Sequence, residues 1–142
     1  MNDIILVSGG FDPVHSGHIA LIQEASKYGE VIVLLNSDDW LRNKKGKEFL
    51  PFEERKIIMG SIKNVIDVFS FDDSDNSCID GIKKAIFKYP NHKIKVANGG
   101  DRNEQNTPET KFCNKNNIEN LWGIGGNHKS NSSSWILERW NK

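Results

Sequence analysis

Two histidines in a glycine-rich segment are the residues of this chain whose types and spacing best suit catalysis. His15 and His18 stand three positions apart within SGGFDPVHSGH, residues 8–18. Side chains three apart lie on one side of a helix, so both imidazoles would act together in a first helical turn. Glycine lets a ligand approach the backbone, and the unpaired amides of a helix N-terminus favour an anion. The segment therefore predicts a site for phosphoryl oxygens.

Three lysines further along the chain add local positive charge. Lys44, Lys45 and Lys47 belong to the sequence KKGK, which we call the basic segment (residues 44–47). A run of lysines taken alone is more often a solvated surface than a site. Beside a phosphate site, it predicts a glycine-containing loop that closes over a triphosphate.

The overall composition restricts the partners of such a site. Lys plus Arg number 19 and Asp plus Glu number 19, so the formal net charge is zero. No general basic field exists to hold nucleic acid or an anionic membrane, and a phosphate ligand must be held by local charge. No apolar run approaches the roughly 20 residues of a membrane span, and the N-terminus lacks the pattern of a signal peptide. We expect a small-molecule site, with no nucleic-acid or membrane partner.

The two cysteines do not indicate a metal or disulfide site. Cys78 and Cys113 stand 35 positions apart and form no CxxC pair. Neither a zinc site nor a disulfide framework fits this spacing, so both are expected to be small buried residues. A reducing, cytoplasmic setting is the corresponding expectation.

The histidine segment joins a predicted strand to a predicted helix. Residues 3–8 are a short aliphatic run, which is typical of a strand buried on both faces. Apolar residues then recur at helical spacing up to Tyr28, and Gly29 is placed to end the helix. Residues 30–36 follow as a second buried strand. This unit predicts a right-handed crossover between two parallel strands.

The same alternation continues along the rest of the chain. Further strands are predicted at 65–71, 93–100 and 119–125, and further helices at 51–62, 77–88 and 107–117, with a last helix that starts within 130–134. The length of 142 residues and the lack of a linker predict a single domain over residues 1–142. The expected fold class is α/β: a Rossmann-like open parallel sheet of about five strands, with helices on both faces and the ligand at the carboxyl ends of the strands.

His15-Ser16-Gly17-His18, after a Gly-Gly-Phe-Asp turn, resembles the HxGH signature of the nucleotidylyltransferase superfamily, which is related to class I aminoacyl-tRNA synthetases. The serines at 132–134 resemble the second nucleotide-binding motif of that superfamily, and the likeness covers nearly the whole chain. Residues 36–56 resemble the small cytidylyltransferases, such as those acting on glycerol 3-phosphate, and the adenylyltransferase domain of heptose-phosphate enzymes. ANGGD, residues 97–101, is most similar to the heptose branch.

The resemblance implies a transferase. A phosphate oxygen of an acceptor would attack the α-phosphorus of CTP or ATP, and pyrophosphate would leave without a covalent enzyme intermediate. The implied acceptor is a small phosphorylated alcohol or sugar, such as glycerol 3-phosphate or a heptose phosphate. Mg²⁺ would arrive mainly with the triphosphate, and no protein metal site is expected. Relatives commonly form homodimers, which the neutral net charge does not oppose.

The resemblance also implies a role for each matching residue. The residues expected to act in catalysis, with the histidines as fixed cationic donors, are His15, His18, Lys44 and Arg55. Those expected to bind the nucleotide are Gly9, Gly10, Phe11, Asp12, Gly17, Gly99, Gly100, Asp101, Ser132, Ser133 and Ser134. Those expected to bind the acceptor are Asp38, Trp40, Lys45, Lys47 and Lys63.

Departures from the family pattern leave two alternatives open. The cytidylyltransferase signature RTxGISTT is replaced by NHKSNSSS at 127–134, so Asn127 takes the arginine position and Lys129 lies nearby in sequence. Both CTP and ATP therefore remain candidates. The histidine turn (residues 9–18) is also similar to that of nicotinate-mononucleotide and pantetheine-phosphate adenylyltransferases, although KKGK and ANGGD suit neither family. A catalytically silent nucleotide-binding sensor or subunit of the same fold is the alternative to an enzyme.

Overall fold

The computed structural model describes residues 2–99, 108–125 and 133–140, without the side chains of residues 133–135. In chain order the elements are β1 (Ile4–Gly9), α1 (Ser16–Ala25), β2 (Glu30–Leu35), α2 (Asp38–Lys45), α3 (Phe52–Gly60), β3 (Val65–Ser70), α4 (Ile79–Lys88), β4 (Ile94–Ala97), α5 (Glu109–Lys115), β5 (Glu119–Leu121) and α6 (Ser133–Trp140). Across the described ranges, no helix is long and apolar enough to cross a membrane.

The strands form one parallel sheet in the order β3-β2-β1-β4-β5. The chain builds outward from β1 to β3 and then returns to the other side of β1 to form β4. This reversal is a topological switch point, where a crevice opens beyond the carboxyl ends of the two central strands. The predicted fold class, an open parallel α/β sheet of about five strands, is confirmed.

Two apolar clusters lie on opposite faces of the sheet, because successive residues of a strand point to opposite sides. Leu6 of β1 belongs to the cluster that includes Ile82 of α4. Val7, the next residue, belongs to the cluster that includes Ile22 of α1 and Met59 of α3. Helices therefore cover both faces. This double burial is why β1 is a continuous apolar run rather than an alternating one.

The structure contains a helix, α2, where the sequence pattern predicts only a loop. Ser37 caps it, with its Oγ accepting a hydrogen bond from the Trp40 amide at 3.1 Å. Leu41 is its buried residue, so no apolar periodicity marks the helix in the sequence. The basic segment is consequently half helix and half loop. Lys44 and Lys45 form the last turn of α2, and Gly46 ends it with a positive φ of 94°.

Gly29 has a different role from the predicted one. Helix α1 ends at Ala25, with Ser26 as its C-cap. A Cβ on Gly29 would lie 2.3 Å from the carbonyl oxygen of Asp3, so glycine is required here for a close approach between two backbone segments. The expectation that Gly29 ends the helix is wrong, because tertiary contact and not capping selects the residue.

Candidate active site

The two histidines form the cap of helix α1. His15 is the N-cap residue, and its Nδ1 accepts a hydrogen bond from the Gly17 amide at 3.0 Å. The His15 amide in turn donates to Nδ1 of His18 at 3.2 Å. This reciprocal capping box is usually built by Ser or Thr with Glu or Gln. Nδ1 of each ring accepts a hydrogen bond from a backbone amide. An imidazole that is neutral in this arrangement therefore carries its own proton on Nε2.

Ring contacts hold the His18 imidazole in a partly apolar environment. The rings of His15 and His18 stack with centroids 3.8 Å apart, and the edge of Phe11 meets His18 at 4.7 Å. Burial, and to a smaller extent the charge of His15, lower the pKa of His18 from its ordinary 6.5 to about 3. His18 is therefore neutral at physiological pH. The neutral imidazole offers Nε2–H as a donor, and the role of His18 in catalysis stays a prediction.

The histidine turn lies at the switch point of the sheet. It leaves the carboxyl end of β1, whose neighbours are β2 and β4. At the end of β4, the buried Asn98 donates from its backbone amide to the Leu121 carbonyl at 2.8 Å and from Nδ2 to Asn120 Oδ1 at 3.2 Å. A Cβ on the following Gly99 would meet no atom of the described residues within 4 Å. The predicted nucleotide residues Gly9, Gly10 and Gly99 thus follow or end the neighbouring strands β1 and β4. Gly100, Asp101 and Ser132 lie outside the described residues, as do the side chains of Ser133 and Ser134.

The glycines of the turn have structural partners within the chain. A Cβ on Gly10 would lie 2.7 Å from Leu41 Cδ2, and one on Gly9 would lie 3.3 Å from the Phe11 ring. Glycine at position 10 therefore lets α2 pack directly against the turn. Gly17 contributes its amide to the His15 cap. Contact of these glycines with a nucleotide stays a prediction.

Arg55 lies inside the protein rather than on a phosphate-binding surface. Its side chain has no exposed area, and the guanidinium donates to the carbonyl oxygens of Gly10, Asn36 and Leu50 at 2.8–3.0 Å. It also forms an ion pair with Asp38 at 2.7 Å. Four of its five N–H groups are thus used by the chain itself. Arg55 holds together the segments that follow β1 and β2 and precede α3, and its catalytic phosphate contact stays a prediction.

Asp12 is likewise occupied by donors from the chain. Its carboxylate accepts the amides of Phe49 at 2.6 Å and Leu50 at 2.7 Å, and it forms an ion pair with Lys45 at 3.0 Å. The side chain is 1% exposed. Asp12 and Lys45 thus bind other parts of the chain, and their contacts with the nucleotide and the acceptor stay predictions.

The other predicted acceptor residues divide between two places. Trp40 lies beside Gly10, and the ammonium of Lys44 sits 4.9 Å from the centre of its ring. Lys47 is exposed after the end of α2. Lys63, in contrast, precedes β3, whose first residue pairs with the first half of β2. Lys63 therefore lies near the amino-terminal ends of the strands, opposite the histidines, and the structure does not bring it to the site.

A buried carboxylate that the sequence reading missed supports the start of α2. Asp73 accepts Asn36 Nδ2 at 3.0 Å, the Ser37 amide at 2.8 Å and Ser37 Oγ at 2.8 Å. The polar pair Asn36-Ser37 directly after a buried strand was a usable signal, because polar residues there face the crevice. Asp73 itself carried no signal, since it stands among other acidic residues in a loop.

No group of three or more His, Cys, Asp or Glu side chains suited to a metal ion occurs in residues 2–99, 108–125 and 133–140. The carboxylates near the histidine turn, Asp12 and Asp38, are engaged by cations and amides. The donors of the site are imidazole N–H groups and lysines, which suit phosphate oxygens better than a bare cation. The two cysteines are buried, as predicted.

Comparison with known proteins agrees with this geometry. A family model described as cytidylyltransferase-like matches residues 6–121. The bifunctional protein HldE of Citrobacter koseri is 36% identical over 73 residues, covering 49% of this chain and 15% of that protein. HldE of Salmonella arizonae is 35% identical over 83 residues, covering 56% of this chain and 17% of that protein. The chain thus spans about one sixth of the length of these curated relatives.

Two solved structures share the fold. A lipopolysaccharide core biosynthesis protein from Thermoplasma volcanium superposes with a TM-score of 0.66 at 20% identity, covering 86% of this chain and 96% of that one. A proposed nicotinate-nucleotide adenylyltransferase from Vibrio parahaemolyticus superposes with a TM-score of 0.65 at 14% identity, covering 97% of this chain and 86% of that one. At these identities the similarity shows the fold alone.

Proposed function

Because this chain belongs to the cytidylyltransferase-like family, we propose that it transfers a CMP or AMP group from CTP or ATP to a small phosphorylated alcohol or sugar. The observation that carries the proposal is the histidine pair. Two stacked imidazoles, each bound through Nδ1 to the backbone, stand at a helix N-terminus beside the switch point. The N–H groups at such a place can donate hydrogen bonds to phosphoryl oxygens.

The proposed reaction is an in-line displacement at the α-phosphorus. An oxygen of the acceptor phosphate forms a bond to this phosphorus, and the bond to the bridging oxygen breaks. Pyrophosphate leaves with the electron pair of that bond. Because no covalent intermediate is required, the protein has to position the two substrates and stabilise charge.

The histidines supply the charge stabilisation in this proposal. Negative charge grows on the α-phosphoryl oxygens in the transition state, and donors fixed beforehand stabilise it without reorganising. Backbone hydrogen bonds to Nδ1 fix His15 and His18, and the neutral ring of His18 offers Nε2–H. A neutral donor also avoids binding the ground-state triphosphate too tightly, which favours kcat over substrate affinity.

Lys44 and Lys47 supply binding charge rather than fixed donors. Both are exposed side chains at the end of α2, and Lys44 lies over the Trp40 ring. Long flexible lysines suit the outer phosphates of the nucleotide or the phosphate of the acceptor, whose positions differ between substrates. Mg²⁺ would reach the site with the triphosphate and, when bound, neutralise part of its charge.

Pyrophosphate release tests the proposal directly. The purified chain is mixed with CTP or ATP, Mg²⁺ and one acceptor at a time, including glycerol 3-phosphate and heptose phosphates. We expect release that depends on the acceptor and disappears in the double variant His15→Ala/His18→Ala. His92→Ala is the matched control, because Nδ1 of His92 lies 2.8 Å from the Asn2 carbonyl, at the opposite edge of the sheet. Tight nucleotide binding without turnover across the panel would instead support a silent binding module.

The choice of nucleotide is tested by calorimetric titration with CTP and with ATP, each with Mg²⁺. A preference for CTP would support transfer of CMP and direct the acceptor search to phosphorylated alcohols. A preference for ATP would agree with the similarity of ANGGD to the heptose branch and direct the search to heptose phosphates.

A further inference from the structure

We infer that Asp12 is a positioning residue, which holds the basic segment beside the histidine turn so that its lysines meet the phosphates of a bound ligand. The inference rests on the proposed function for the ligand, but the placement itself is read from contacts within the chain. It replaces a direct nucleotide contact of Asp12 with an action through the connection between α2 and α3 (residues 46–51).

Three donors from one short stretch converge on Asp12. The amides of Phe49 and Leu50 donate to separate oxygens of its carboxylate, at 2.6 and 2.7 Å. Lys45 contacts Oδ2 at 3.0 Å and the Asp12 carbonyl oxygen at 2.5 Å. A carboxylate that is 1% exposed and bound by this many donors is fixed in place, because an unpaired charge there would be costly.

Apolar packing contributes little to holding the α2–α3 connection. Phe49 is 52% exposed even though its amide is bound to Asp12. A Cβ on Gly46 would meet no atom within 4 Å in the part of the chain that the structure describes. Two further polar contacts hold it: Arg42 pairs with Glu48 at 2.8 Å, and Arg55 Nε donates to the Leu50 carbonyl. The position of the connection, and of the lysines before it, therefore depends on buried polar partners.

The same residue is joined to the histidines through the backbone. Asp12 follows Phe11, whose ring contacts His18 with centroids 4.7 Å apart. Arg55 adds a second link, because it binds both the Gly10 carbonyl before Asp12 and the Leu50 carbonyl after the basic segment. Leu50 is thus held at its amide by Asp12 and at its carbonyl by Arg55. The basic segment and the histidine turn are therefore linked through the same two buried residues.

Amide exchange tests the placement without any ligand. In Asp12→Asn a single carbonyl oxygen remains where two carboxylate oxygens accepted amides, so we expect exchange of Phe49 or Leu50 to speed up at least about tenfold. The matched control is Asp3→Asn, which removes an Asp–Lys pair of 3.2 Å with Lys95 at the other end of β1. Unchanged exchange at both amides in Asp12→Asn would overturn the placement.

A double-mutant cycle tests the consequence for phosphate binding, with inorganic triphosphate as the probe. We expect Lys47→Ala to weaken binding about two- to fivefold in the wild type and less than about twofold in Asp12→Asn, because the lysine is then no longer held at the site. A general loss of stability would leave the two effects additive. Additivity, with urea unfolding confirming a folded variant, would therefore overturn the inference.

A second variant covers the case in which Asp12→Asn does not fold. Lys45→Gln removes the ion pair but leaves both amide bonds to Asp12, so it should fold and still reduce the effect of Lys47→Ala. If the wild type itself fails to bind triphosphate, the proposed function fails, and the amide-exchange result still decides whether Asp12 holds the connection.

Discussion

The histidine turn (residues 9–18) and the basic segment hold their functional side chains in opposite ways. In the turn, each imidazole is bound to the backbone through Nδ1, and the aromatic ring of Phe11 packs against one of them. In the basic segment, Lys44 and Lys47 are exposed, while the backbone nearby is held by the buried Asp12. Fixed donors suit a transition state of one geometry, whereas mobile charges suit substrates that differ.

Removing Arg55 should give the largest effect, because Arg55 links the histidine turn to the α2–α3 connection. Arg55→Ala leaves Asp38 and three carbonyl oxygens without their donor, which should lower the free energy of unfolding by about 3–5 kcal/mol. Urea unfolding measures this change. Arg42→Ala, which removes an exposed Arg paired with Glu48, is the matched control and should shift the midpoint far less. Equal shifts in both variants would contradict the assigned role of Arg55.

His18→Ala should lower kcat by roughly 100-fold or more, because a fixed donor to the developing charge is lost, while nucleotide affinity changes less. His18→Gln separates the two roles of this residue. Glutamine can still accept the His15 amide as in a capping box, so it should restore stability but not kcat. The variants are compared by urea unfolding and by pyrophosphate release. A kcat within threefold of the wild type in either variant would remove His18 from catalysis.

Acid should destabilise the folded chain through His18 of the histidine turn. In the unfolded chain His18 takes up a proton near its ordinary pKa of 6.5, whereas in the folded chain its pKa is about 3. The lowered pKa therefore makes the contribution of His18 to stability fall as pH drops below about 6.5, by about 2 kcal/mol between pH 7 and pH 5. Unfolding of the wild type and of His18→Gln at both pH values measures this. The same pH dependence in both would contradict burial of a neutral His18.

Lys44→Ala should have the smallest effect and a different signature. Because Lys44 is exposed and, in the proposed function, binds substrate charge in the ground state, its loss should raise KM about three- to tenfold and lower kcat less, with little change in stability. Lys44→Arg should restore much of the affinity. Lys27→Ala, at the far end of α1 and paired with Glu24 at 3.0 Å, is the matched control. Unchanged kinetics in Lys44→Ala would show that this lysine is a solvated surface residue without a role in substrate binding.

Several parts of the fold were predictable because local pattern and tertiary environment agree. The aliphatic runs of β1 and β2 read as buried strands, and the structure buries them on both faces. Helix α4 was predictable because Ile82 and Ala85 recur on one face. Helix α2 was not, because it buries little beyond Leu41 and is held by the Ser37 cap and the Asp73 network. A helix stabilised by polar contacts leaves no apolar period to read.

The site shows the same division between residue type and residue environment. His15 and His18 were identifiable because their spacing and glycine context are local properties. Arg55 and Lys63 were not separable by sequence, since both are cations near helix α3. The fold buries one under three carbonyl oxygens and leaves the other at the opposite edge of the sheet. Position in the tertiary structure, and not charge, decides where each of these cations lies.

The sequence by itself determined the alternation of strands and helices, the parallel α/β class and the place of the histidines after the first strand, because these depend on short-range patterns. Only the tertiary structure decided that His18 is neutral, that Arg55 and Asp12 serve the chain, and that the basic segment stands beside the histidines. The contacts of Arg55 and Asp12 depend on partners some 30 to 45 positions away in sequence, such as Gly10 for Arg55 and Leu50 for Asp12. No local pattern encodes contacts that only the folded chain brings together.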